Sequence, residues 1–152
     1  MRLHQIPQTE DHMQAGVNKG SVYIVEDDKL LALVTKRLLT QLGYSIAGVA
    51  KSALEAVDEV SSFDADVILM DISLNGDMDG IEAVRRIRKS SDIPVIFLSG
   101  SSDKETWRRA REVGMTDFLV KPICADDLVA PLKQAISESR MMQASRKRDR
   151  VG

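Results

Sequence analysis

Residues 66–74 read DVILMDISL, a short apolar run from Val67 to Met70 that stops on a carboxylate, Asp71. A continuous apolar run of this length, with no polar alternation, is the pattern of a strand buried on both faces. Four more runs rich in β-branched or aromatic residues recur: VYIV from Val22, YSIAGVA from Tyr44, PVIFL from Pro94 and FLV from Phe118. Between them apolar residues return at helical spacing. Leu30, Val34, Leu38 and Leu42 make the clearest stripe, closed by Gly43 at a C-cap position. Ala53, Val57 and Val60 mark a second helix, and Ile81, Val84 and Ile87 a third. Trp107, Ala110 and Val113 before Gly114 mark a fourth, and Leu128, Leu132, Ala135 and Ile136 a fifth. Strands alternating with helices favour a parallel sheet covered on both faces, because each right-handed crossover returns the chain to the same sheet edge. The expected fold is α/β, a (βα)5 doubly wound parallel five-stranded sheet.

That pattern occupies residues 21–139 of 152. Residues 1–20 are polar, without sustained period, and are expected to be an extension. Residues 140–152 are expected to be a basic tail, with Arg146, Lys147, Arg148 and Arg150 against Asp149, too short for a second domain. Charge is nearly balanced, 21 Lys+Arg against 23 Asp+Glu, which argues against a protein that grips nucleic acid or an anionic membrane over a large surface. Cys124 is the only cysteine, so an internal disulfide and a cysteine-based zinc site are excluded. His4 and His12 both lie in the polar extension. With no apolar run near the roughly 18 residues of a membrane span, and no apolar segment in the opening MRLHQIPQ, the expected setting is the cytoplasm.

Ligands of open α/β sheets collect outside the carboxyl ends of the strands. Here those ends carry Glu26, Asp27 and Asp28 after the first strand, Asp71 after the third, Ser99 and Gly100 after the fourth, and Lys121 and Pro122 after the fifth. A glycine-rich cradle after the first strand would favour a nucleotide. Three consecutive carboxylates stand there instead, and they repel phosphate unless a cation intervenes. If the first and third strands are neighbours, Glu26, Asp27 and Asp71 converge, a set suited to a hard divalent ion such as Mg2+. With that charge neutralised, Asp71 is a carboxylate nucleophile toward phosphorus. Lys121 supplies positive charge and Ser99 a hydroxyl for the phosphoryl oxygens. Asp28 is better placed to cap the first helix.

In order along the chain, VYIVEDD, DVILMDISL, MDGIEAVRRIR, IPVIFLSG and GMTDFLVKP resemble the receiver domain of bacterial response regulators, the CheY-like family of two-component signalling. The resemblance covers about Ser21 to Ser139 and implies the flavodoxin-like strand order 2-1-3-4-5. It implies that Asp71 is the phosphoacceptor, and that Glu26, Asp27, Asp71 and the backbone carbonyl of Ser73 hold Mg2+, with Glu26 acting through a water. Lys121 would pair with the phosphoryl group across a cis Lys121–Pro122 bond. Ser99 and Phe118 would move together as the switch. The implied donor is a sensor histidine kinase or a histidine phosphotransfer protein. The implied output is protein contact through the fourth helix, fifth strand and fifth helix, with homodimerisation left open and no membrane or nucleic-acid partner expected.

Such a receiver catalyses only its own phosphorylation and dephosphorylation, and is not otherwise an enzyme. Ser73 and Ser101 flank the route of an attacking water and suggest a short-lived phosphoryl state. Asp71, Ser73, Asn75, Gly76 and Glu82 also fit the spacing of a calcium-binding EF-hand loop, but that loop follows a helix and Val67 to Met70 is a β-type run. An aspartate-dependent phosphatase generally needs a second Asp two residues beyond the nucleophile, where Ser73 stands. Two alternatives stay open: a degenerate interaction domain independent of phosphorylation, and the receiver fragment of a larger regulator or hybrid kinase. Pro131 falls inside the fifth helix and predicts a kink or a late start there. Cys124 is expected to pack at that helix's start, and Trp107 to pack by its stem or face a partner.

Overall fold

Five parallel strands form one sheet in the order β2-β1-β3-β4-β5: β1 (Ser21–Val25), β2 (Ser45–Ala50), β3 (Val67–Asp71), β4 (Val95–Ser99) and β5 (Asp117–Val120). The helices are α1 (Lys29–Gln41), α2 (Ala53–Glu59, prolonged by a 3₁₀ turn over Val60–Ser62), α3 (Gly80–Ile87), α4 (Lys104–Glu112) and α5 (Ala125–Val151). The structure is a computed structural model describing residues 17–151. His4, His12 and the rest of the extension before residue 17 lie outside the described residues.

The central strands place alternate residues in two cores, as the two-residue period of a strand requires. Tyr23, Val25, Ile68, Met70 and Phe97 meet Ala56 of α2, Ile81 and Val84 of α3, and Ala110 of α4. Val22, Ile24, Leu69, Ile96 and Leu98 meet Leu39 of α1 and Leu128, Leu132, Ala135 and Ile136 of α5. β1, β3 and β4 are thus buried on both sides. β2 and β5 lie at the edges and are mostly only half-buried, unlike the fully buried strands that their apolar runs predict. Side-chain oxygens start four of the helices: Asp28 accepts from Leu30 and Leu31, Ser52 from Glu55, Asp79 from Glu82 and Asp103 from Thr106.

The structure corrects several local expectations. α1 buries Ala32, Thr35 and Leu39, while Leu30 and Val34, two members of the expected stripe, are 68% and 46% exposed. The segment LLALV carries more large apolar residues than one face can bury, so two stripes compete. The sheet takes the one with the smaller side chains at Ala32 and Thr35. α5 begins well before Pro131 and passes through it, so the late start is not found. Pro131 is itself buried beside Leu128 and Leu132, so apolar packing offsets the hydrogen bond its ring removes. Residues 140–151, expected as a tail, continue α5 as helix. Strong helix formers and basic residues beside the negative end of the helix dipole favour this. Cys124 precedes α5 but is exposed rather than packed, its backbone N–H donating to Asp127 at 2.9 Å.

Gly80 opens α3 against the backbone of β3. A Cβ at this position would lie 2.2 Å from the Asp71 carbonyl oxygen. Gly80→Ala should therefore lower stability by about 2 kcal/mol in urea denaturation, far more than an alanine in an ordinary first helical turn.

Candidate functional site

The strand order reverses between β1 and β3, which lie side by side, so the crevice at their carboxyl ends is where the fold presents a site. Glu26 and Asp27 follow β1 directly, and Asp71 ends β3. One carboxylate oxygen from each lies within 4.8 Å of the others, the one acidic group of this kind among the described residues. Glu26 and Asp71 are buried, while Asp27 is half-exposed. Asp28 is spent on capping α1, which leaves its two predecessors for the crevice.

Lys121, just past β5, reaches back across the sheet end. Its Nζ lies 3.1 Å from Asp71 Oδ2 and 3.3 Å from Glu26 Oε1. The Lys121 N–H donates to the Ser99 carbonyl at 2.7 Å, and the Lys121–Pro122 peptide is cis. Backbone donors hold each carboxylate: Ser73 N–H to Asp71 Oδ1 at 3.2 Å, Asp28 N–H to Glu26 Oε2 at 3.3 Å, and Asn75 N–H to Asp27 Oδ2 at 2.9 Å. Asp27 thus also pins the loop after β3, a role its position in the sequence does not reveal.

Ser99 is buried at the end of β4, and its Oγ accepts the Ser101 N–H at 3.1 Å. Phe118 is half-buried against the core that holds Phe97 and Ile81. Ser73 and Ser101 are both exposed. Glu82 pairs with Arg85 and Arg86 on α3, and Asp71 closes a strand, so the EF-hand spacing has no structural counterpart. Trp107 is 42% exposed, with the Arg111 guanidinium 5.3 Å from its ring centroid.

Sequence reasoning missed an apolar groove of about 460 Å³ that runs from the site along α1. Leu31, Val34, Leu38, Leu98, Pro122 and Ile123 line it, and Glu26 and Lys121 stand in the same wall. The surplus of leucine in LLALV was its signal.

A family model for the response regulator receiver domain matches residues 22–133. The chain belongs to the response regulator receiver family. The transcriptional regulatory protein PdtaR of Mycobacterium tuberculosis is 32% identical over 123 residues, 81% of this chain and 60% of that protein. The DNA-binding transcriptional regulator NtrC of Klebsiella pneumoniae is 33% identical over 131 residues, 86% of this chain and 28% of that protein. The chain therefore spans less than two thirds of the length of each of these relatives. Among solved structures it resembles the signal receiver domain of a modulated diguanylate cyclase from Desulfovibrio desulfuricans G20, with a TM-score of 0.74 and 36% identity over 81% of this chain and 98% of that one. It also resembles a CheY-like receiver from Methanospirillum hungatei JF-1, with a TM-score of 0.73 and 25% identity over 81% and 98% of the two chains. Receivers are signalling domains of two-component systems, and they generally bind Mg2+ at an acidic pocket. Among the described residues, no helix is long and apolar enough to cross a membrane.

Three carboxylates against one ammonium leave the receiver's crevice with an excess of negative charge. Burial, together with a hydrogen bond and repulsion from Asp71, pushes the Glu26 carboxyl up to about 7, against the opposing pull of Lys121. Burial alone would lower Lys121, but Asp71 and Glu26 outweigh it and hold the ammonium above its ordinary value. Ionised Glu26 is thus costlier in the folded chain than in the unfolded one. Its contribution to stability is present below the ordinary carboxyl value of about 4.5 and is lost as pH rises through about 7. In chelator, Glu26→Gln should be neutral at pH 4 and stabilise by on the order of 1 kcal/mol at pH 8, measured as urea midpoints across that range.

Proposed function

We propose that this receiver takes a phosphoryl group from a phosphohistidine donor onto Asp71, and that residues 21–139 are the unit that does so. The observation that carries this is the buried Asp71 carboxylate, held between the Lys121 ammonium at 3.1 Å and the Ser73 amide, with Glu26 and Asp27 at its side. A carboxylate oxygen of Asp71 forms a bond to phosphorus as the phosphorus–nitrogen bond of the donor breaks, and the imidazole leaves with the electron pair. Such a donor needs no general acid, in keeping with Ser73 at the position where a phosphatase would carry one.

Glu26, Asp27, Asp71 and the Ser73 carbonyl fit the oxygen donor set of Mg2+, since their charge exceeds what Lys121 offsets. When bound, the ion supplies the positive charge that lets an anionic phosphoryl group approach. Lys121 then holds the phosphoryl oxygens, exchanging its carboxylate partner for the added group. Ser99 gives its hydroxyl to another oxygen, releasing the Ser101 amide, and Phe118 turns with it. Exposed Ser73 and Ser101 leave a water access to the phosphorus, which favours a short-lived state that reverts by hydrolysis.

The apolar groove along α1 gives a donor helix a surface to seat on while its histidine faces Asp71. The donor is then a sensor kinase or a histidine phosphotransfer protein in the cytoplasm. Output is protein contact through α4, β5 and α5, which present Trp107 and Val120, both more than two-fifths exposed. Transcriptional regulation is what PdtaR and NtrC are named for.

Incubation with acetyl phosphate and Mg2+ should add one phosphoryl mass that is labile to hydroxylamine, absent in chelator and absent from Asp71→Asn. No adduct under conditions that label a known receiver would establish a phosphorylation-independent interaction domain instead.

A further inference from the structure

α4 is weakly attached to the body of the domain. Ala110 is its one buried residue, so packing alone gives it little purchase. Its polar contacts run to both sides of the phosphoacceptor. At its start, Asp103 caps the helix through the Thr106 N–H and accepts the Ser101 hydroxyl, while the Ser101 N–H donates to Ser99 Oγ. Near its end, the Arg109 guanidinium donates to Asp79 Oδ2 at 2.9 Å, across thirty residues of sequence. The other ion pairs of α3 and α4 among the described residues, Glu82 with Arg85 and Arg86, and Arg108 with Glu105 and Glu112, stay within their own helix.

Asp79 cannot shift alone. Its Oδ1 caps α3 through the Glu82 N–H at 2.8 Å. The next residue, Gly80, donates its N–H to the Ile72 carbonyl at 2.9 Å and sits too close to the Asp71 carbonyl for any Cβ. Arg109 therefore pulls on a residue whose neighbour is seated on the backbone of the phosphoacceptor itself.

We propose that the Arg109–Asp79 ion pair is a restraint that holds α4 over the phosphoacceptor loop in the arrangement seen here, making Arg109 a positioning residue for the transfer to Asp71. Once Ser99 turns toward a phosphoryl group and releases Ser101, this pair still ties α4 to the rest of the domain, the one ion pair that does so among the described residues. It opposes the switched arrangement, and by linkage it opposes phosphorylation. The effect on transfer rests on Asp71 being the phosphoacceptor.

Asp79→Asn keeps the helix cap and removes the charge, whereas Arg109→Ala removes the other partner. Each should speed labelling by acetyl phosphate with Mg2+ about two- to fivefold, as loss of a partly exposed ion pair allows. The double variant should gain nothing more, Arg109→Lys should fall back toward wild type, and Arg108→Ala should leave the rate unchanged. Hydrogen exchange over residues 104–112 of the unphosphorylated protein should rise with Asp79→Asn and Arg109→Ala, and not with Arg108→Ala. Unchanged or slower labelling in a wild type that does label, additive effects in the double variant, or unaltered exchange would overturn the restraint. A wild type that takes no phosphoryl group would overturn the phosphoacceptor role, and exchange would still decide whether the pair restrains α4.

Discussion

Two buried carboxylates, Glu26 and Asp71, share a single ammonium group at the carboxyl edge of the sheet, with half-exposed Asp27 beside them. Like charges so close are held only because the strands that deliver them are packed on both faces, and because backbone N–H groups and Lys121 take up part of the field. The cost is local. Glu26 carries it as a carboxyl that ionises near neutral pH, while the central strands behind it stay apolar along their middles, from Val22 to Val25, Val67 to Met70 and Val95 to Leu98. A site built this way has an unmet demand for positive charge, the physical basis of a receiver's affinity for a divalent ion and, through it, for a phosphoryl group.

The helices divide the labour around that edge. α1 sits on one face with α5 and leaves a row of leucines uncovered beside the site, next to Pro122 and Ile123. On the other face α3 packs tightly, burying most of its residues, whereas α4 buries one. The element joined to Ser99 through its capping loop is thus also the one with the least apolar anchorage. Low local stability of this kind is what a moving element requires, and it gives weight to the ion pair of Arg109 with Asp79, which among the described residues is the one that ties α4 to another helix.

Much of this was legible in the residues. The runs at Val22, Val67 and Pro94 gave buried strands because both faces of a central strand are apolar, and the residues that end them fell where carboxyl strand ends must lie. Asp28 could be set apart from Glu26 and Asp27 because a helix needs a cap where its apolar spacing begins. The misreadings share one cause. In LLALV, and at Pro131 and Cys124, local pattern left more than one arrangement open, and only packing against a neighbour selects between them. The half-buried β2 and β5 fall under the same rule, since nothing in an apolar run shows whether the strand will find a neighbour on each side.

The sequence by itself determined the alternation of strand and helix, the two-sided burial of the central sheet and the identity of the groups at each strand end, since all three depend on periodicity and on residue chemistry within a few positions. The tertiary structure decided which face of α1 meets the sheet, how far α5 extends, and that Asn75, Asp79 and Arg109 belong to the surroundings of Asp71. Those are relations between residues far apart in the chain. They are set by register, by helix placement and by the one direction in which a guanidinium or an amide finds its partner, and no local pattern encodes them.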